Sequence, residues 1–242
     1  LNDFVKYLAP YSTTYVSENL RMLRRLCTFA FQFGYHSEDL SACVPFVKNS
    51  RQQKIPAIFT EAEVERILAS FDRDNPLGKR NYAIFLLAAR LGLRSSDIKA
   101  LEFGFINWKE KVISFSQQKT KKFLSLPMPD DVGWAIIDYL KNGRPVSDSK
   151  YVFIQHNPPY GQYADLRSLL VKQMRKAGIE TPANKRIGMH CFRHSLATTM
   201  LEKGVPLPVI SQTLGHADIS STEVYLRINI SQLRLCALEV EL

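Results

Sequence analysis

The chain has 242 residues, 45% hydrophobic and 23% charged, which is enough for one large domain or two smaller ones with buried cores. Lys and Arg outnumber Asp and Glu by 32 to 23, and the formal charge of +9 favours a polyanionic partner, nucleic acid first. Cys27, Cys43, Cys191 and Cys236 stand far apart without a CxxC pair, which speaks against a zinc ribbon or a disulfide scaffold and fits a reducing, cytoplasmic setting.

No apolar run reaches membrane-spanning length, so no membrane partner is expected. The opening Leu1-Asn2-Asp3-Phe4 lacks a basic-then-apolar signal segment, and the chain is expected to be a piece of a longer protein. Residues 12–33 place Tyr15, Leu20, Leu23, Leu26, Phe29, Ala30 and Phe33 at helical spacing, with Gly34 ending the helix. Arg21, Arg24 and Arg25 share much of the other face, a set that stays solvated or tracks a DNA backbone. The polar, basic stretch Lys48 to Pro56, with Arg51 and Lys54, reads as a linker at 49–58 between a first domain, 1–48, and a second, 59–242.

Thr60-Glu61-Ala62-Glu63 forms a capping box that opens a helix to about Phe71. A strongly apolar helix over 79–91 ends at Gly92, and Ser95 or Ser96 caps the next one through Ile98 and Leu101. Arg94 therefore sits in a tight helix-to-helix turn. Short β-type runs follow at 105–106, 112–115 and 123–126, with turns at 107–111 and 120–122, and these predict a small antiparallel sheet. Helices return at 130–141, 164–177, 190–203, 206–213 and 219–227. The fold class is mainly α with a small antiparallel β-sheet.

Metal-free cleavage of a phosphodiester needs a nucleophile, cations around the pentacoordinate phosphorus, an acid for the leaving oxygen and a base for the nucleophile. Arg94 and Arg193 suit the clamp, because guanidinium holds two oxygens at once and does not titrate. His190 stands one helical turn before Arg193, on the same face. Singly, each candidate has a plainer reading: Arg94 as a surface or cap residue, Lys119 as a solvated hairpin charge, His216 as a helix C-cap, Tyr225 as a core aromatic. His190 and His194 at i, i+4 also suit a zinc hydrolase, although that motif wants a glutamate where Cys191 stands.

Together the residues form one ordered pattern that resembles the tyrosine recombinase, or phage integrase, family. The first arginine box is similar to Arg90-Leu91-Gly92-Leu93-Arg94-Ser95-Ser96-Asp97-Ile98-Lys99-Ala100-Leu101, and the hairpin lysine box to Gln118-Lys119-Thr120 with Leu126-Pro127. His190-Cys191-Phe192-Arg193-His194, Leu214-Gly215-His216 and Tyr225 meet the remaining boxes. Asp97 replaces the usual glutamate, and Phe192 replaces a leucine on a face expected to be buried.

The resemblance implies a recombinase catalytic domain preceded by a partial helical core-binding domain, and site-specific recombination, as in integration, excision or transposition, through a 3′-phosphotyrosyl intermediate. It implies Tyr225 as nucleophile, Arg94 and Arg193 as clamp, His216 as a further donor, Lys119 as acid and His190 as base, with no metal and no cofactor. Double-stranded DNA is the implied partner, contacted by Arg21, Arg24, Arg25, Arg51, Lys54, Lys121 and Lys122. An apolar tail helix at about 229–242 would dock on a neighbouring subunit in a homotetramer. The rivals are DNA relaxation of the type IB topoisomerase kind, a catalytically silent DNA-binding regulator and, third, the zinc hydrolase.

Overall fold

The computed structural model describes residues 2–47, 57–162, 165–180 and 187–215. The chain divides into two compact units, Leu1–Lys54 and Ile55–Leu242.

In the first unit, α1 (Asn2–Leu8) precedes α2 (Thr13–Gln32), and a 3₁₀ turn at Leu40–Cys43 packs back on α2. Ser12 caps α2 by accepting from the Tyr15 amide. Leu8, Leu20 and Val44 form a small core with Val5, Val16, Leu23 and Cys27 packed around it. The expected apolar face of α2 is therefore divided. Leu20 and Leu23 turn inward, whereas Tyr15, Leu26, Phe29 and Phe33 are exposed, because the small core covers only one side of a 20-residue helix. Arg24 also departs from expectation. It shares the inward side with Leu20 and Cys27 and donates to the carbonyls of Val44 and Pro45, at 3.0 and 3.2 Å, while Arg21 and Arg25 are exposed.

The second unit opens on Ala57 and Phe59, both buried, with the Phe59 amide donating to Ser195 Oγ at 2.7 Å. The Thr60–Glu63 capping box forms and starts α3 (Glu61–Ala69). Next, α4 (Pro76–Leu91) begins three residues earlier than expected, because the Asn75 side chain caps it through the Gly78 amide and Pro76 fills its first turn. The left-handed Gly92, at φ +61°, ends α4, and α5 (Ser95–Lys99) follows at once. Arg94, not Ser95 or Ser96, occupies the N-cap position of α5, and no side chain caps it.

The sheet is a three-stranded antiparallel meander, β1 (Ile106–Asn107), β2 (Val112–Ser116) and β3 (Phe123–Pro127), in sequential order. Ile113 pairs with Leu126 and Phe115 with Leu124, which turns these four side chains into the core. Four helices follow: α6 (Asp130–Asn142), α7 (Leu166–Lys176), α8 (His190–Glu202) and α9 (Leu207–Leu214). The central helix α4 packs on α6 and α8, with Ile84, Phe85, Leu86 and Leu87 fully enclosed. Phe192 is buried between Phe59 and Phe85, with ring centroids 5.2 and 5.7 Å away. A separate cluster of Ala197, Leu201, Ile210 and Leu214 seats α9 on α8. No described helix is long and apolar enough to cross a membrane.

Candidate active site

Four short segments meet around the turn that follows α9. They are the α4–α5 turn carrying Arg94, the β2–β3 hairpin carrying Lys119, the start of α8 carrying His190 and Arg193, and Leu214–Gly215, directly before His216. Gly215 adopts the left-handed region at φ +62° and closes α9. An added Cβ there would stand 2.6 Å from the Gln117 amide, so the hairpin strand lies directly against the turn. Gly92 faces the same place: a Cβ on it would stand 2.8 Å from Leu214 Cδ2.

Arg193 is buried on α8 and donates through Nη1 to the Gly92 carbonyl at 2.9 Å and through Nη2 to the Leu214 carbonyl. Arg94 Nη2 lies 3.4 Å from the Gly215 carbonyl. Its Nη1 is buried with no hydrogen-bond partner among the described residues, and the same holds for Asp97 Oδ2. A buried guanidinium N–H without an acceptor is costly in a closed protein, and an anion supplies what it lacks. The fold thus brings Arg94 and Arg193 onto one turn, at the adjacent carbonyls of Gly215 and Leu214.

Asp97 is nearly inaccessible, and its Oδ1 accepts from the Gln118 amide at 2.8 Å, linking the arginine turn to the hairpin. The shorter carboxylate found in place of glutamate therefore makes a defined contact. Lys119 is exposed at the hairpin tip, with Lys121 and Lys122 exposed beside it, and Lys121 takes a positive φ of 56°. Gln117 was not apparent as a site residue from motif spacing. It is wholly buried, donates to the Leu214 carbonyl at 3.2 Å and accepts from Thr120 Oγ1 at 2.5 Å. The alternation of Ile113, Phe115 and Gln117 gives the missed signal, because it carries the core-facing register of β2 one residue past the strand onto a polar amide.

His190 is exposed at the first position of α8, and its ring lies over Gly188, where an added Cβ would stand 3.0 Å from Nδ1. His194 packs edge-on to it, ring centroids 5.6 Å apart. Burial, aided by the charges of His190 and Arg193, lowers the His194 pKa to about 4, so this ring is neutral at physiological pH. The Cys191 thiol is raised by burial, which removes it as a nucleophile at neutral pH. Among the described residues no group of three or more His, Cys, Asp or Glu is placed to hold a metal ion. His216, Tyr225, Arg51, Lys54, the helix at 219–227 and the tail at 229–242 lie outside the described residues.

Comparison with known proteins identifies the family. The sequence signature of the phage integrase family matches residues 57–232. A Sinorhizobium fredii protein named for the integrase/recombinase class, y4rA, is 37% identical over 219 residues, 89% of this chain but 52% of its own, so the chain spans about half of that relative. Tyrosine recombinase XerA of Pyrococcus furiosus is 30% identical over 209 residues, covering 85% of this chain and 69% of its own. The crystal structure of XerH site-specific recombinase in a post-cleavage complex with a palindromic difH substrate shares the fold at a TM-score of 0.74, with 18% identity over 97% of this chain and 69% of that one. With that signature across most of the second unit, the chain belongs to the phage integrase, or tyrosine recombinase, family.

Proposed function

We propose that this chain performs site-specific DNA recombination by metal-free strand cleavage and religation. The observation that carries the proposal is the meeting of Arg94, Arg193 and the Lys119 hairpin at Leu214–Gly215, with a buried Arg94 N–H that has no hydrogen-bond partner among the described residues. The Tyr225 oxygen attacks the scissile phosphorus and gives its proton to His190. The bond from phosphorus to the 5′-oxygen breaks, and Lys119 protonates that oxygen. Arg94, Arg193 and His216 hold the nonbridging oxygens as negative charge builds. The covalent phosphotyrosine conserves the bond energy, and a 5′-hydroxyl from a partner strand reverses the sequence.

The first unit would act as part of a core-binding domain, with Arg21 and Arg25 on phosphates and Arg24 holding the fold behind them. Lys121 and Lys122, and Arg51 and Lys54 in the linker, would add contacts, and most of the affinity would be electrostatic. The tail at 229–242 would dock on a second subunit to build a tetramer on two DNA duplexes. Cys27, Cys43 and Cys191 are free thiols, which suits work in the cytoplasm.

The test is incubation with a pool of randomised, nicked duplexes, followed by denaturing gels and sequencing of any DNA bound covalently. An adduct formed by the wild type and absent from Tyr225→Phe is expected. DNA binding without an adduct in either protein would instead favour a silent regulator.

A further inference from the structure

We infer that Gln117 is the positioning residue for Lys119, a lock that sets the proton donor in register with the arginine clamp. The inference rests on the recombinase reading, because that reading makes Lys119 the acid. Lys119 is exposed at the tip of a hairpin and carries a flexible four-carbon stem, so nothing in its own side chain holds it at a fixed place. The residues on either side of it are held. The Gln118 amide donates to Asp97 Oδ1 at 2.8 Å, and the Thr120 hydroxyl donates to Gln117 Oε1 at 2.5 Å.

Gln117 joins this tip to the site. Its backbone closes the hairpin, donating to the Lys122 carbonyl and accepting from the Lys121 amide, each at 2.9 Å. Its side-chain amide reaches across to the Leu214 carbonyl at 3.2 Å and lies against Gly215. The same Leu214 carbonyl accepts from Arg193. Hairpin and clamp are therefore referred to one atom, the last carbonyl but one before His216. The partners also fix the orientation of the amide, since the Leu214 carbonyl requires a donor and the Thr120 hydroxyl finds an oxygen. A hydrophobic residue of the same length would fill the space and make neither bond.

Two measurements separate positioning from packing. The first uses Gln117→Met and duplexes recovered by the adduct selection, with either oxygen or sulfur at the bridging 5′ position. A thiolate leaves without a proton, so a misplaced acid is harmless on the sulfur substrate. Gln117→Met should cut the oxygen substrate about tenfold to a hundredfold slower than wild type, the cost of a displaced catalytic group. It should cut the sulfur substrate within about threefold of wild type, as should Lys119→Ala. Thr120→Val, which removes half of the tether and keeps Gln117, should show the same pattern at smaller size.

Equal slowing on both substrates, or none on either, would overturn the lock. If Lys119→Ala is not rescued by sulfur, the assignment of the acid fails instead. The second measurement needs no DNA: amide hydrogen exchange at Gln118 and Lys121 should speed up in Gln117→Met, and unchanged exchange would count against the lock whatever the reaction.

Discussion

His194 is half-buried on α8 and packs edge-on to His190. Its folded-state pKa of about 4 lies below the ordinary histidine value of 6.5, so the unfolded chain binds the extra proton over that interval. Stability carried by His194 is complete above pH 6.5 and is lost as pH falls toward 4, by about 3 kcal/mol in all. His156 is depressed in the same direction, by burial and by Arg80, and its contribution cancels when two variants that both retain it are compared. Thermal unfolding of wild type and His194→Gln between those pH values should give curves that converge as the medium is acidified. Parallel curves would mean that the ring is not buried as described.

At the scale of elements, the α4–α5 turn is held by a glycine that cannot readily be replaced. Gly92 combines a left-handed φ of +61° with Leu214 and Leu196 side-chain carbons at 2.8 and 3.0 Å from an added Cβ, and its carbonyl is the acceptor for Arg193. Gly92→Ala should cost about 2 kcal/mol, measured by urea unfolding, mostly from backbone strain because the two leucine ends can shift. Much of this architecture was legible in the chain itself. The capping box at Thr60, the glycine stop at 92 and the alternating strands are local signals, and each forms as its side chains dictate. The start of α4 is not legible in the apolar run 79–91, because its cap, Asn75, lies outside that run. The short α1 carries too few turns to show a period, and the buried run Val152-Phe153-Ile154 offers no alternation to mark its place. The roles of Arg24 and Gln117 are not legible in the sequence, because they depend on distant carbonyls, on Val44 and Leu214, that sequence spacing does not bring together.

For the whole molecule, the excess of nine positive charges and the exposed Arg21, Arg25 and Lys121 predict binding that weakens steeply with salt. The logarithm of affinity for a labelled duplex, measured between about 50 and 200 mM KCl, should fall linearly with the logarithm of salt, and Arg21→Gln, Arg25→Gln or Lys121→Gln should each flatten the slope by about 1. A slope unchanged by all three would remove these residues from the DNA contact. The two units differ in how much of themselves they cover. The second encloses a continuous core from Ala57 to Phe192, while the first leaves Met22, Leu26, Phe29 and Phe33 exposed along α2. Arg94, Lys119, His190 and Arg193 belong to the larger unit, where the main core and the separate cluster around Leu214 position them.

The carbonyls beneath Arg193 have one more effect, on the timing of order. An arginine free in solvent samples many rotamers, and fixing it forgoes roughly 2 kcal/mol of side-chain entropy. Here the Gly92 and Leu214 carbonyls already hold that guanidinium in the DNA-free protein. Its immobilisation is completed when the chain folds, so any anion that reaches it would meet a preorganised cation and spend no binding energy on arranging one.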